Sequence, residues 1–146
     1  MAITETLEAY KTLIESLPSK PKVDLFSGKV ADETLKNISL QGDQCYVLLA
    51  CGGGPIVSDA PKMVCDAVFG AFIISKADID TKGVSRKAMD FGVELSKALK
   101  TYRGSPKRNP NLPKIASFEE LLSGFKSSNN NFSAWQLAWT HWVSFD

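Results

Sequence analysis

The chain has 146 residues, of which 44% are hydrophobic, and its 17 basic side chains nearly balance its 16 acidic ones. That length and composition predict a single folded domain over residues 1–146 and exclude a chain that is disordered throughout. The charge balance argues against a dedicated nucleic-acid binder. No apolar run reaches the ~18 residues that span a membrane, and the acidic N-terminus does not have the pattern of a signal peptide.

An amphipathic helix is predicted at the N-terminus, in ITETLEAYKTLIESLP. Its apolar residues recur at three- and four-residue steps from Ile3 to Leu17, so that they form a stripe on one side. Pro18 and Pro21 end the helix. In the mixed segment that follows, LKNISL (35–40) is expected to form a short strand.

Two strands are predicted next, at Gln44–Cys51 and Lys62–Ser75. Each carries apolar side chains on both alternating faces, so the sheet that contains them needs cover on both sides. The sequence GGGP between them is typical of a strand end followed by a wide turn.

A second helix is predicted in GVSRKAMDFGVELSKALKTY, and a last strand in FSAWQLAWTHWVSFD. The segment 115–125 fits either a strand or a short capped helix, and both remain open. The order of elements predicts an α+β fold, with a largely antiparallel four- to five-stranded sheet and the N-terminal and central helices packed on one face. Two helices cover about one face, so a second subunit is expected to bury part of the other.

The sequence does not show the residue motifs expected of an enzyme. GGGPIVSDAPK offers no lysine followed by serine or threonine, and Pro55 removes an amide donor, so a phosphate-binding loop is not expected. One histidine and three cysteines do not make a metal cluster. No catalytic, cofactor-binding or metal-binding residue is therefore predicted, although pairing of Cys51 with His141 stays open as an alternative.

The candidate partner contacts lie in a basic, proline-rich segment and on the last strand. Arg103, Lys107, Arg108 and Lys114 form either a solvated, flexible loop or a surface for an acidic partner or for nucleic acid passing nearby. Trp135 and Trp139 share the face expected to pack in the core. Trp142 lies on the other face and is the tryptophan expected to reach a partner.

Five segments follow the N-terminal helix in a fixed order: YVLLACGGG, VFGAFIIS, GVSRKAMDFGVELSKAL, IASF and FSAWQLAWTHWVSF. Together they resemble the tail terminator, or tail completion, proteins of Mu-like contractile-tailed phages, over most of the chain. None of the segments is a catalytic signature, and no individual functional residue carries over. The basic segment 103–114 and the tryptophan-rich last strand depart from the family pattern, which leaves the contacts to individual neighbours open.

The resemblance implies a non-enzymatic virion protein at the tail–neck junction, made in the host cytoplasm. Such proteins form a hexameric ring on the last ring of tail-tube subunits, end tail growth and present a docking face to the head or neck. The implied partners are the tube, sheath and neck or head-completion proteins, with DNA passing through the lumen without sequence-specific binding and no membrane contact. The alternatives are another neck or head–tail connector protein, a small cysteine-dependent enzyme, or a ligand-binding module with the glycine turn at its pocket mouth.

Overall fold

The computed structural model describes residues 2–25, 45–76, 86–104, 108–120 and 132–145. Within these ranges the chain forms two helices and six strands. The helices are α1 (Ala2–Glu15) and α2 (Arg86–Thr101), and the strands are β1 (Lys22–Leu25), β2 (Tyr46–Gly53), β3 (Ile56–Ser58), β4 (Val64–Lys76), β5 (Lys114–Glu120) and β6 (Phe132–Ser144). The strand expected at 35–40 lies outside the described residues. Of the ambiguous segment 115–125, the first six residues belong to β5, and 121–125 also lie outside.

The strands form one sheet in the order β1-β2-β4-β6-β5, with β3 pairing β4 beside the end of β2. β1 is parallel to β2 and every other described pair is antiparallel. The longest ladder joins β4 to β6 without a register shift, from Val64 opposite Ser144 to Lys76 opposite Phe132. This architecture confirms the α+β prediction. The sheet has six strands rather than four or five because β1 and β3 are too short to show a period in the sequence.

Both helices pack on one face of the sheet, as predicted. Tyr10 from α1, Leu95 from α2 and Trp139 from β6 are fully buried in one hydrophobic cluster. Strand alternation explains this arrangement, because β2, β4 and β6 each direct every second side chain into that cluster. We call this side the helix-covered face and the opposite side the outer face. In the described part of the chain, neither helix has the length and hydropathy needed to cross a membrane.

The outer face is covered at one end and open at the other. Leu48 and Ile74 lie on it and are 2% and 0% exposed. Val68 and Trp142 lie on the same face further along the sheet and are 42% and 36% exposed. The two-sided cover that the apolar strands require is therefore met within the chain at one end and is missing at the other.

β2 ends in Gly52 and Gly53, and Gly54 and Pro55 then connect it to β3. Gly53 adopts a left-handed conformation with φ +74°, which glycine tolerates best. A Cβ on Gly54 would lie 1.7 Å from the carbonyl oxygen of Asp66, so β4 passes too close for any side chain there. The Asp66 amide in turn donates to the Pro55 carbonyl at 2.8 Å. The chain then enters β3, a strand, where a phosphate-binding loop would need a helix.

Candidate interaction surface

Trp142 is held in place through its main chain. The segment 108–111 runs beside the end of β6, where the Ser144 amide donates to the Arg108 carbonyl at 2.8 Å. The Asn109 side-chain amide donates to the Trp142 carbonyl at 3.0 Å, and the Trp142 amide donates to Asn111 Oδ1 at 2.8 Å. Two side chains thus take the place of a neighbouring strand. The indole of Trp142 is presented on the outer face from a fixed main chain.

The segment that holds Trp142 is itself packed against the end of α2. Asn109 is 5% exposed, and Gly104 lies against it with φ +60°. A Cβ at Gly104 would come within 2.8 Å of Asn109 Oδ1, so both the backbone angle and the space favour glycine. Within the segment expected to be a solvated loop, Asn109 is thus buried and both asparagines are hydrogen-bonded to β6. The sequence signal that was missed is the NPN triplet, since asparagine side chains readily bond to nearby main chain.

The predicted basic residues occupy different settings. The Arg108 guanidinium lies 2.9 Å from the Glu5 carboxylate of α1, an exposed pair that contributes about 0–1 kcal/mol. Arg103 is exposed, as is Lys114, which begins β5 opposite Thr140. Lys107 lies outside the described residues. Arg103 and Lys114 thus remain as exposed cations, whereas Arg108 joins the 108–111 segment to α1.

Exposed apolar residues lie near Trp142, whose direct cross-strand partner is Asp66. Six residues that are each more than a third exposed lie near one end of the sheet, and we call them the apolar end: Ile56, Val57, Met63, Val68, Trp142 and Phe145. The strand register brings them near one another, because β3 pairs the start of β4, and the start of β4 pairs the end of β6. The Phe145 amide also donates to the Met63 carbonyl at 2.9 Å. By alternation Val68 and Trp142 lie on the outer face, whereas Ile56, Met63 and Phe145 are in step with the buried Cys65 and Val143. Exposed apolar residues grouped at one end of a sheet are typical of an interaction site.

An open depression of about 310 Å³ lies on the outer face next to the apolar end. Its lining is mostly small or apolar, and Gln136 is the one polar side chain among the described residues that line it. A ligand site normally adds several convergent polar groups to an apolar wall. The depression therefore gives little support to a ligand-binding module.

His141 is fully buried, and both of its ring nitrogens are hydrogen-bonded. The Asn111 carbonyl can only accept, so His141 Nε2 donates to it at 2.8 Å. Nδ1 then accepts from the Tyr10 hydroxyl at 2.5 Å. Burial lowers the pKa of His141 below its usual range. A neutral imidazole with these partners joins α1, the 108–111 segment and β6, which is a structural role.

The three cysteines are free thiols. Burial raises the pKa of Cys45 to about 11 and also raises the pKa values of Cys51 and Cys65. Cys51 Sγ accepts from the Gly53 amide at 3.5 Å. Since both nitrogens of His141 have other partners, the described geometry contains no activated Cys51–His141 pair.

The described ranges contain no group of three or more His, Cys, Asp or Glu side chains that could hold a metal ion. No protein-family model matches the chain, and no curated protein matches it. The described residues also present a distinctive surface. That surface combines an open apolar end, a tryptophan with a fixed main chain, and the exposed cations Arg103 and Lys114.

Proposed function

We propose that the chain is a structural tail terminator of a contractile-tailed phage. It assembles into a ring that caps the tail tube and sheath, ends tail polymerisation and provides the docking surface for the head or neck. The observation that carries the proposal is the outer face, which is open at one end and exposes Val68 and Trp142 there, while the helices cover the opposite face. A subunit of a ring needs such a surface, because its neighbours complete the burial.

The strands that carry the apolar end support a role in assembly. Val68 and Trp142 belong to β4 and β6, whose ladder is the longest in the described sheet. A contact surface on such a ladder loses little conformational freedom on binding, and a partly exposed tryptophan is a frequent anchor of protein interfaces. Both ring nitrogens of His141 are hydrogen-bonded, and burial keeps the Cys51 thiol protonated. These two facts favour a structural role over a cysteine-dependent enzyme.

Arg103 and Lys114 are proposed to contact acidic surfaces of neighbouring virion proteins. Both are exposed. Exposed cations mainly influence association rate and partner choice rather than affinity. We therefore expect Arg103→Ala to change the salt dependence of docking on tails more than the integrity of the ring.

Negative-stain electron microscopy of the purified full-length chain tests ring formation. We expect rings with a central hole of tube-like width, in which the double variant Val68→Ser, Trp142→Ser is defective. Val93→Ser is the matched control, because Val93 is 45% exposed but lies on α2. Uniform monomeric particles of the wild type across salt and protein concentration would contradict the proposal.

A neck or head–tail connector protein would share these surface properties and differ in its partner. Addition of the purified chain to growing tail tubes separates the two functions. A terminator stops elongation and remains on the tube end. A ring that leaves elongation unchanged, and binds completed heads instead, would favour the connector.

A further inference from the structure

Two neighbours border β6 on the side that faces away from β4. β5 pairs with β6 as far as Thr140, which lies opposite Lys114, the first residue of β5. Beyond Thr140 the segment 108–111 takes over, and the Ser144 amide donates to the Arg108 carbonyl at 2.8 Å. The segment therefore closes this part of the strand edge, so that a partner at the apolar end meets side chains rather than adding a strand.

Trp142 directs both of its main-chain groups toward the 108–111 segment. Its amide donates to Asn111 Oδ1 at 2.8 Å, and its carbonyl accepts from Asn109 Nδ2 at 3.0 Å. Successive residues of an antiparallel strand turn their main chain to opposite sides, so Trp142 and its β4 partner Asp66 form a non-hydrogen-bonded pair. The ladder with β4 therefore orders Trp142 only through its neighbours in β6, whereas the two asparagine side chains bond the residue itself.

The two asparagines are themselves held in place. Asn109 is 5% exposed and lies against Gly104, where a Cβ would come within 2.8 Å of Asn109 Oδ1. The Asn111 carbonyl accepts from His141 Nε2 at 2.8 Å. Pro110 stands between the asparagines, and a proline restricts its own φ and favours an extended conformation in the residue before it. Both side chains thus reach Trp142 from an ordered main chain.

The influence of these asparagines on a partner passes through Trp142. Asn109 is buried and offers almost no surface to a neighbour, and Asn111 Oδ1 already accepts from the Trp142 amide. Trp142 itself is 36% exposed, so part of its indole is free for a contact. An anchor whose main chain is already ordered loses less conformational freedom on binding, which strengthens the contact.

We infer that Asn109 and Asn111 are positioning residues of the ring contact, which hold Trp142 in the orientation that a neighbouring subunit binds. This inference rests on the proposed function, because it concerns the contact around Val68 and Trp142. Assembly then depends on two hydrogen bonds that the neighbouring subunit does not touch.

Asn111→Ala and Asn111→Asp test the inference in the full-length chain, with assembly measured by sedimentation velocity. The first variant removes the acceptor of the Trp142 amide, whereas the second retains an oxygen acceptor at the same position. We expect Asn111→Ala to raise the concentration for half-assembly by about tenfold, and Asn111→Asp to stay within about twofold of the wild type. Hydrogen exchange of the Trp142 amide should be faster in Asn111→Ala and unchanged in Asn111→Asp.

Asn109→Asp is the matched comparison. It adds the same charge to the same segment but replaces the donor to the Trp142 carbonyl by an acceptor, so we expect assembly as weak as that of Asn111→Ala. The two Asn111 variants decide the question by themselves where Asn109→Asp does not fold. Ile14→Val is the stability control, because Ile14 is fully buried on α1 and its truncation lowers the stability of the fold without changing the 108–111 segment. It should assemble as the wild type does.

The outcomes separate the inference from the proposed function. Rings that form as readily in Asn111→Ala as in the wild type, or equal weakening in both Asn111 variants, would overturn the positioning role and leave the terminator proposal in place. Weak assembly of Asn111→Ala with retained assembly of Asn111→Asp, in particles that are not rings, would support the positioning role and contradict the terminator. A wild type that stays monomeric at every concentration would overturn both.

Discussion

Protonation of His141 is expected to destabilise the fold as the pH falls. Its imidazole is buried in the neutral form, with Nδ1 accepting from Tyr10 and Nε2 donating to Asn111. Burial therefore lowers its pKa in the folded state, whereas the unfolded chain has the ordinary value of about 6.5. As the pH falls below about 6.5, the unfolded state binds a proton that the folded state does not. Stability is complete above that pH and declines toward the lower folded pKa.

The size of the pH effect on the free energy of unfolding is set by the uptake of one proton by His141. The free energy of unfolding declines by at most about 1.4 kcal/mol per pH unit within this window, since one group titrates. His141 is the single histidine of the chain, which makes the assignment direct. Tyr10→Phe removes the donor to Nδ1 and leaves a buried acceptor without its partner, at a cost of about 1–3 kcal/mol.

Urea unfolding monitored by tryptophan fluorescence, from about pH 7.5 to about pH 5.5, measures the slope. His141→Gln is the control, because it removes the titrating group from the same position. We expect the wild type to lose more stability than this variant as the pH falls. Equal slopes in the two proteins, or an imidazole that titrates near pH 6.5 in the folded protein by NMR, would refute the reasoning.

Three further tests address the glycine turn, the two tryptophan faces and the thiols. Gly54→Ala is expected to lose roughly 1–3 kcal/mol in thermal unfolding because the new Cβ meets a carbonyl of β4 at 1.7 Å. Gly52→Ala, with nothing within 4 Å, should change little, and equal losses would contradict this account. Trp139→Ala, at a fully buried site, should cost about 3–5 kcal/mol in chemical denaturation. Trp142→Ala should cost much less, and the reverse order would show that the two faces are misassigned. Because burial raises the pKa of Cys45 to about 11, iodoacetamide should alkylate it slowly at neutral pH unless the chain is unfolded, and rapid native labelling would favour the cysteine-dependent enzyme.

The long elements could be predicted from the sequence because their patterns are local. Alternation over thirteen residues identified β4 and β6, and three- and four-residue steps identified both helices. The two short strands were missed, since four residues in β1 and three in β3 are too few to show a period. They form because the main chains of β2 and β4 are available beside them.

By itself, the sequence determined on which face of each long helix or strand every side chain lies. Strand alternation alone places Trp139 in the core and Trp142 on the outer face. Only the tertiary structure decided what surrounds those faces. The bond from Tyr10 to His141 joins residues 131 positions apart, and that from Asn109 to Trp142 joins residues 33 apart. Alternation and helical step are properties of neighbours along the chain. A bonded histidine, a fixed tryptophan main chain and an open apolar end exist only after distant segments have packed together.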